Sequence, residues 1–169
     1  MTELKTIQKS VCKSGFTLIE LIVVAVILGI AALIAVPMFS GAADMQVRAA
    51  ANRIAADLDY AKGLAVTHQK NYSVVFNTGN ESYQIKDQTG TVIEDPVRPG
   101  SQYVVNLKAD SNFSRVNIAT AVFNSPMYQT ITFDYLGSPY DTTGAALNTG
   151  RITLQADSFT IYVDVEPMT

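Results

Sequence analysis

Glu20 is the residue with the clearest chemical demand in this sequence, because it is a carboxylate near the start of a long apolar run. From Leu18 to Phe39 it is the only charged residue. An ionised side chain at that depth in a membrane helix costs several kcal/mol unless another group pairs with it. We therefore expect Glu20 to have a partner, which makes it the first candidate for a functional residue.

Few residues of this chain are suited to catalysis or metal binding. It has a single histidine, His68, and a single cysteine, Cys12. The sequence contains no motif for a nucleophilic serine, a zinc-binding helix, a phosphate-binding loop or paired cysteines. Asp134 and Asp141 flank a glycine-containing loop and offer the oxygen ligands that calcium takes, although solvated loop acids are the commoner case. We predict no enzyme, no cofactor and no metal-binding residue.

The location of Glu20 depends on two segments of the chain, a basic one before it and an apolar one that contains it. Residues 1–15 carry three lysines against one glutamate, which is typical of the positive segment before a membrane-inserted helix. The apolar run that follows is close to the roughly 20 residues that span a bilayer. It suits an ordinary membrane anchor, a secretion signal cleaved near residues 40–43, which would release a secreted β-domain, or a helix kept after removal of a short leader. Its length and early carboxylate are poor features of a cleaved signal.

The segment from Gly15 to Glu20 resembles the cleavage and assembly signature of type IV prepilins and type II secretion pseudopilins. The residues in that register are Gly15, Phe16, Thr17, Leu18, Ile19, Glu20 and Leu21. The resemblance implies that prepilin peptidase cuts between Gly15 and Phe16 and that Phe16 is then N-methylated. It also implies that Glu20 meets the terminal amine of a neighbouring subunit during assembly, which would neutralise the carboxylate.

Pro37 matches a proline that is common in pilins. It removes one helical hydrogen bond and is expected to kink or loosen the helix. The alternative is that Pro37 ends the membrane helix, with Gly41 following soon after. Both outcomes are compatible with the sequence.

The charge of the chain limits its partners. The full sequence has 12 basic and 15 acidic residues, a net charge of −3. Removal of residues 1–15 would leave 9 basic and 14 acidic residues, a net charge of −5. Phosphate binding depends on Lys and Arg, so this balance argues against nucleic acid as the main partner.

Residues 41–69 form a second helical segment, in which apolar residues recur at three- and four-residue steps. The recurring residues are Val47, Ala50, Ala51, Ile54, Leu58, Ala61 and Ala65. This pattern predicts an amphipathic helix whose apolar stripe packs on a sheet, with Asp44 as an N-cap candidate. The other faces are expected to carry the polar residues Arg48, Asn52, Asp57, Asp59 and Lys62. His68 suits the C-terminal end of this helix better than a metal site.

From residue 70 onward the apolar period changes to two, which is typical of strands. A hairpin is predicted from residues 72–77 and 82–86, and a Pro- and Gly-containing loop at residues 95–100. Further strands are predicted at residues 102–107, 115–122, 130–135, 151–154 and 159–165. The last three are expected to form one antiparallel sheet with a wet side, and Tyr135 to share a face with Ile131 and Phe133. Residues 137–150 are expected to be a loop outside the core.

Two segments resemble a subgroup, the GspH/FimT-like minor pilins. Residues 51–62 are similar to the helix of that group, and residues 131–137 with 152–154 are similar to its late strand, glycine loop and strand. Some FimT-like members are associated with DNA uptake through a basic C-terminal tail. Residues 164–169 here contain no Lys or Arg, which weakens that role.

The resemblance implies an α+β, type IV pilin-like fold with a long N-terminal helix packed on a C-terminal antiparallel β-domain. The expected parts are a cleaved leader at 1–15, a transmembrane assembly helix at 16–40, an amphipathic helix at 41–69 and a periplasmic β-domain at 70–169. The chain is expected to cross the inner membrane once. Its expected partners are other pilin or pseudopilin subunits, prepilin peptidase/N-methyltransferase and the inner-membrane assembly platform.

The predicted function is that of a minor pseudopilin, a structural subunit that helps to initiate or cap a type II secretion filament. The alternative is a FimT-like minor type IV pilin that acts in pilus assembly or captures DNA or another ligand.

Overall fold

The structure, a computed structural model, describes residues 16–167, and within this range the side chains of residues 33–40 are not described. The expected leader and Gly15 lie outside the described residues. The described residues divide into two compact units, one that ends at Phe39 and one that begins at Ser40.

A long helix, α1, runs from Leu18 to His68. The helix continues through Pro37, so the alternative that Pro37 ends it is wrong, and a kink there stays a prediction. Within the described residues, no helix is both long enough and apolar enough to cross a membrane. The predicted transmembrane segment at 16–40 includes residues 33–40, whose side chains are outside the description, and it also stays a prediction.

The second part of α1 has the amphipathic character that the sequence predicts. Its buried residues are Ala43, Val47, Ala50, Ala51, Ile54, Leu58, Ala61 and Ala65. Asp44 does not cap a helix, because α1 does not restart there; its Oδ1 accepts a hydrogen bond from Arg48 Nε at 2.8 Å. The expectation that Asp57 lies on a face other than the apolar stripe is wrong, because Asp57 is only 5% exposed. Position 57 lies one turn after Ile54, so it falls on the edge of the buried stripe.

Eight strands are present among the described residues, in two antiparallel sheets. The first sheet has the order β3-β2-β1-β5-β6 and the second has the order β4-β7-β8. In chain order the strands are β1 Tyr72–Asn77, β2 Ser82–Lys86, β3 Val104–Asn106, β4 Asn117–Phe123, β5 Thr130–Phe133, β6 Pro139–Tyr140, β7 Gly150–Ala156 and β8 Phe159–Val165. The hairpin of β1 and β2 is confirmed.

The late strands do not share one sheet as predicted. Strand β5 pairs with β1, with Ile131 opposite Val74 and Phe133 opposite Tyr72. Strands β7 and β8 pair with each other and with β4. A period of two identifies the buried face of a strand but not its neighbour, which is why the sequence pattern did not separate these strands.

One hydrophobic core lies between residues 43–65 of α1 and the two sheets. The ring of Phe76 in β1 is 5.4 Å from that of Tyr83 in β2 and 5.8 Å from that of Phe123 in β4. These aromatic contacts join the first sheet to the second, because β4 belongs to the second.

The segment at 137–150 takes part in the core, contrary to the prediction. It contains β6, and Leu147 is buried among the core residues. Tyr135 is half exposed and does not continue the face of Ile131, because β5 ends at Phe133 and the chain turns at Asp134. Asp134 Oδ1 accepts hydrogen bonds from the backbone N–H groups of Leu136 and Ser138 at 2.9 and 2.8 Å.

The turn at Asp134 belongs to a repeated type with the sequence Asp-x-x-Gly-x, found at residues 87–91, 134–138 and 141–145. In each, the N–H of the aspartate bonds the carbonyl four residues later, and the glycine N–H bonds the aspartate carbonyl. The glycines have φ angles of 83°, 81° and 82°, which L side chains rarely adopt. Each aspartate side chain also accepts backbone N–H bonds inside its turn.

Candidate functional site

The predicted assembly residues lie where α1 begins. Thr17 is the N-cap of the helix, and its Oγ1 accepts a hydrogen bond from the N–H of Glu20 at 3.3 Å. The Thr-x-x-Glu spacing is that of a capping box, a signal that the sequence carries and that our interpretation of the motif did not include. The helix therefore starts at Leu18, directly after its N-cap.

Glu20 lies in the first turn of α1 and is exposed. A carboxylate is favoured there by the partial positive charge at a helix N-terminus. The surrounding surface is apolar: large hydrophobic side chains from Phe16 to Ile30 are between 45% and 76% exposed. Phe16 and Glu20 thus both lie at the N-terminal end of the helix. Pairing of Glu20 with another subunit stays a prediction.

A second polar group lies in the core of the globular unit, centred on Asp57. Its Oδ2 accepts hydrogen bonds from Tyr83 Oη at 2.6 Å and from Arg53 Nε at 3.0 Å. Its Oδ1 accepts a hydrogen bond from Tyr103 Oη at 2.8 Å. Three donors thus satisfy a carboxylate that would otherwise be costly to bury. The network joins α1 to β2 and to the segment just before β3.

The network shifts the acid–base equilibria of its members. Burial, and then the charge and hydrogen bond of Asp57, raise the pKa of the Tyr83 hydroxyl well above its usual value. The same causes raise the pKa of Tyr103 to about 12. Burial acts to lower the pKa of Arg53, but the hydrogen bond and charge of Asp57 outweigh it and raise that pKa. The tyrosines therefore stay neutral and the arginine stays charged at neutral pH.

Asp95 is a second buried carboxylate, located in the predicted loop between β2 and β3. Its Oδ1 accepts a hydrogen bond from the N–H of Val97, and its Oδ2 accepts one from Arg98 Nε, both at 2.9 Å. These bonds, led by that from Val97, lower the pKa of Asp95. The sequence predicted the loop but not that its first residue is buried.

Asp141, the third buried carboxylate among the described residues, stabilises the chain of its own turn. Its Oδ1 accepts bonds from the N–H and Oγ1 of Thr143 and from the N–H of Ala145, and its Oδ2 accepts one from Asn124 Nδ2. The side chains of Thr143 and Asn124 lower its pKa to about 2. Both oxygens are thus bound by donors of the chain. No group of three metal-ligating side chains occurs among the described residues.

His68 ends α1, as predicted, and its Nδ1 is 2.7 Å from Tyr72 Oη. The sequence pattern therefore located the helix end, while the assembly role of Phe16 and Glu20 stays a prediction. It missed the network of Asp57 and the anchoring of Arg98 by Asp95. Asp57 lies three residues after Ile54 and four before Ala61, both on the apolar stripe, and this spacing was the available signal for its burial.

Two family models match the sequence. The prokaryotic N-terminal methylation motif matches residues 12–36. The model of type II transport protein GspH matches residues 50–168, which is more than two thirds of the chain. No curated protein matches the chain at a significant level.

Two solved structures are similar to this chain. The type IV minor pilin FimU of Pseudomonas aeruginosa strain PAO1 is 15% identical over 71% of this chain and 81% of its own, with a TM-score of 0.44. The minor pseudopilin EpsH, from the type 2 secretion system of Vibrio cholerae, is 7% identical over 70% of this chain and 97% of its own, with a TM-score of 0.39. The family of the chain follows from the sequence matches and not from these likenesses.

Proposed function

This chain belongs to the GspH family of type II transport proteins, the minor pseudopilins of type II secretion, and we propose that it enters the pseudopilus through the segment that begins at Phe16. It is a structural protein and not an enzyme. Its N-terminal motif is of the kind that prepilin peptidase processes, and pseudopilins assemble with one another. What remains to be assigned is how the residues of this chain carry out assembly.

The observation that carries the proposal is the exposure of apolar side chains around the start of α1. A helix at the surface of a soluble protein buries one apolar stripe and exposes polar faces. From Leu18 to Ile30, Glu20 is the only polar side chain, and the large apolar residues are all exposed. A contiguous apolar surface of this kind marks a site that contacts lipid or another protein. We propose that lipid covers it before assembly and that helices of other subunits cover it in the filament.

Glu20 determines how this apolar helix surface aligns with the helices of neighbouring subunits. Once lipid or neighbouring helices surround the segment, an unpaired carboxylate there is costly. We propose that cleavage after Gly15 creates an amine at Phe16, that this residue is N-methylated, and that the amine pairs with Glu20 of a neighbouring subunit. The capped helix start at Thr17 supports this proposal, because it fixes the place of Glu20 within the first turn.

We propose a single pass through the inner membrane with the globular unit in the periplasm. The lysines of residues 1–15 support this orientation, because positive segments stay on the cytoplasmic side. The inner-membrane assembly platform is the proposed partner during insertion into the filament, where the subunit helps to initiate or cap growth.

The exposed face of the second sheet offers no support for DNA capture. Arg151 there is bound by Asp164 through two hydrogen bonds of 2.6 and 2.9 Å, and its guanidinium lies 4.9 Å from the centre of the Tyr162 ring. Its charge is therefore already compensated within the sheet.

Intact mass and N-terminal sequencing of the protein from membranes, with and without prepilin peptidase, tests the proposal. We expect a mature chain that starts at methylated Phe16 only when the peptidase is present. A soluble product that starts near Asp44 would remove the apolar segment and contradict the proposed assembly.

A further inference from the structure

A cavity of about 510 Å³ opens beside β3 in the globular unit. Its polar lining includes Arg53, Arg98 and Asp110, and its apolar lining includes Val97, Val104 and Phe113. The volume is in the range of pockets that bind small ligands or side chains. The cavity is distinct from the assembly segment, since all its lining residues belong to the unit that begins at Ser40.

The two arginines of this cavity are held in the same way. Arg53 bonds Asp57 through Nε, and Arg98 bonds Asp95 through Nε. Asp57 and Asp95 are two of the three buried charged residues in the described part of the chain. Two carboxylates that are costly to bury thus each fix an arginine in place at the wall of one cavity.

This anchoring leaves both Nη groups of Arg98, and Nη1 of Arg53, without a hydrogen bond among the described residues. Among the described residues, the only hydrogen bond from an Nη atom of the two arginines is from Arg53 Nη2 to Tyr103 Oη, at 3.3 Å. The side chains of Arg53 and Arg98 are 44% and 66% exposed. A guanidinium held at Nε presents a pair of parallel N–H groups, which matches the two oxygens of a carboxylate.

Strand β3, which lies beside the cavity, indicates what kind of ligand would carry this carboxylate. Strand β3 is an edge of the first sheet, and its three residues line the cavity. An edge strand can pair with an extended peptide, and pockets beside it then select side chains of that peptide. The exposed Val97 and Val104 provide apolar contact next to the arginines. The charged lining residues are two arginines and two aspartates, Asp95 and Asp110, so the lining carries no net charge. This disfavours a multiply charged phosphate more than a single carboxylate.

We propose that this cavity binds the carboxylate of an aspartate or glutamate carried on an extended segment of a partner protein, which pairs with the outer edge of β3. The inference goes beyond assembly through Phe16 and Glu20 and does not rest on it. It assigns the globular unit a recognition site for an acidic, extended sequence.

The test uses the full chain in detergent and titrates it with the peptide acetyl-Thr-Val-Glu-Val-Thr-amide and its Gln counterpart. We expect saturable binding of the Glu peptide and about tenfold weaker binding of the Gln peptide, because a charge-assisted pair is lost. A Glu peptide N-methylated at its second valine should also bind more weakly, because it loses a backbone donor. Absence of saturable binding, or equal binding of all three peptides, would overturn the proposal.

Variants locate the binding on the protein. Arg98→Gln should weaken binding of the Glu peptide by about tenfold, and Arg98→Lys should restore little of it, because lysine lacks the planar fork. Arg98 is preferred to Arg53 for this test because its side chain is more exposed, 66% against 44%, and because Arg53 also bonds Tyr103 in the network of Asp57. Arg151→Gln is the matched control, an exposed and paired arginine on the second sheet, and should bind as the parent does. An equal loss in Arg151→Gln, or full binding by Arg98→Gln, would contradict the site. Neither result bears on cleavage at Phe16.

Discussion

Asp57 and Tyr83 lie 26 residues apart in the sequence and share a 2.6 Å hydrogen bond inside the globular unit. This bond attaches α1 to β2 by a polar contact within a core that is otherwise apolar. A second tyrosine, Tyr103, donates to the other oxygen of the same carboxylate. The orientation of the helix on the first sheet therefore depends on a charged group as well as on hydrophobic packing.

Replacement of this carboxylate should be destabilising. Asp57→Asn removes the ion pair with Arg53 and leaves one tyrosine hydroxyl without its acceptor. We expect the free energy of unfolding to fall by about 2 to 3 kcal/mol, less than for a fully buried pair because Arg53 is partly exposed. Urea unfolding of the full chain in detergent measures the change. The control is Asp59→Asn, an exposed position on the same helix, for which we expect a change within about 0.5 kcal/mol. Equal effects of the two substitutions would show that the network adds nothing.

Alkaline pH should weaken the same network. The pKa of Tyr103 is raised from 10.0 to about 12, so the folded state keeps a proton that the unfolded chain releases. Stability from this shift is complete below pH 10 and is lost as the pH rises toward 12 and beyond. Tyr103→Phe should lower stability by about 1 kcal/mol at neutral pH and make the alkaline decline shallower. Tyr162→Phe, at an exposed position, should keep the decline of the parent, and a Tyr103→Phe profile parallel to the parent's would argue against the assignment.

Low pH should reduce the stability of the globular unit by protonating Asp141. Its pKa is lowered from 3.8 to about 2, so its contribution to stability is present above pH 3.8 and is lost as the pH falls toward 2. We expect Asp141→Asn to be less stable than the parent at neutral pH and to lose less stability across this acid range. Unfolding curves at several pH values measure this. Asp157→Asn is the control, because Asp157 is exposed and forms a surface ion pair with Arg115 at 3.5 Å. The stability of this variant should depend on acid pH as that of the parent does. If the free energy of unfolding falls equally with pH in the parent and in Asp141→Asn, this role of Asp141 is ruled out.

The turn at Gly137 is fixed by both its φ angle and its neighbours. Its φ is 81°, and a Cβ there would lie 3.0 Å from Lys62 Cε and 3.3 Å from Val66 Cγ2 on α1. Gly137→Ala should therefore cost about 1 to 2 kcal/mol in thermal or urea unfolding. Gly144→Ala is the matched control, because Gly144 has a φ of 82° and no atom within 4 Å of an added Cβ. It should cost only the backbone strain of about 1 kcal/mol. A larger loss for Gly144→Ala would mean that contact with α1 is unimportant.

Glu20→Gln tests assembly without altering the globular unit. We expect normal membrane insertion and folding, with about tenfold less crosslinking of this subunit to its neighbours in membranes, because the proposed amine partner loses its counter-charge. Glu166→Gln changes an exposed glutamate at the other end of the chain and should leave crosslinking intact. Unchanged crosslinking of Glu20→Gln would count strongly against the proposed pairing.

The parts of the fold that the sequence predicted are those with a local cause. The stripe from Val47 to Ala65 repeats at helical steps, and the hairpin of β1 and β2 has polar turn residues between two alternating runs. Both follow from short-range geometry. The position of Glu20 at the start of the helix could also be predicted, from its place in the motif.

The parts that were not predicted depend on contacts between distant residues. The burial of Asp57 follows from Tyr83 and Tyr103, which lie 26 and 46 residues further along. The division of the late strands between two sheets follows from the pairing of β5 with β1, which no local pattern specifies. The three Asp-x-x-Gly turns were within reach of the sequence, since aspartate and glycine at that spacing have a known turn geometry.

We expect these three turns to form early when the globular unit folds. Each joins segments separated by only a few residues, so the loop that must close is short and the entropy lost is small. The pairing of β1 with β5 is different, because Ser73 and Thr132, whose side chains are in contact, are 59 residues apart. Long-range pairing slows folding more than local pairing does. We therefore expect the hairpins to form early and the closure of β1 on β5 to set the folding rate.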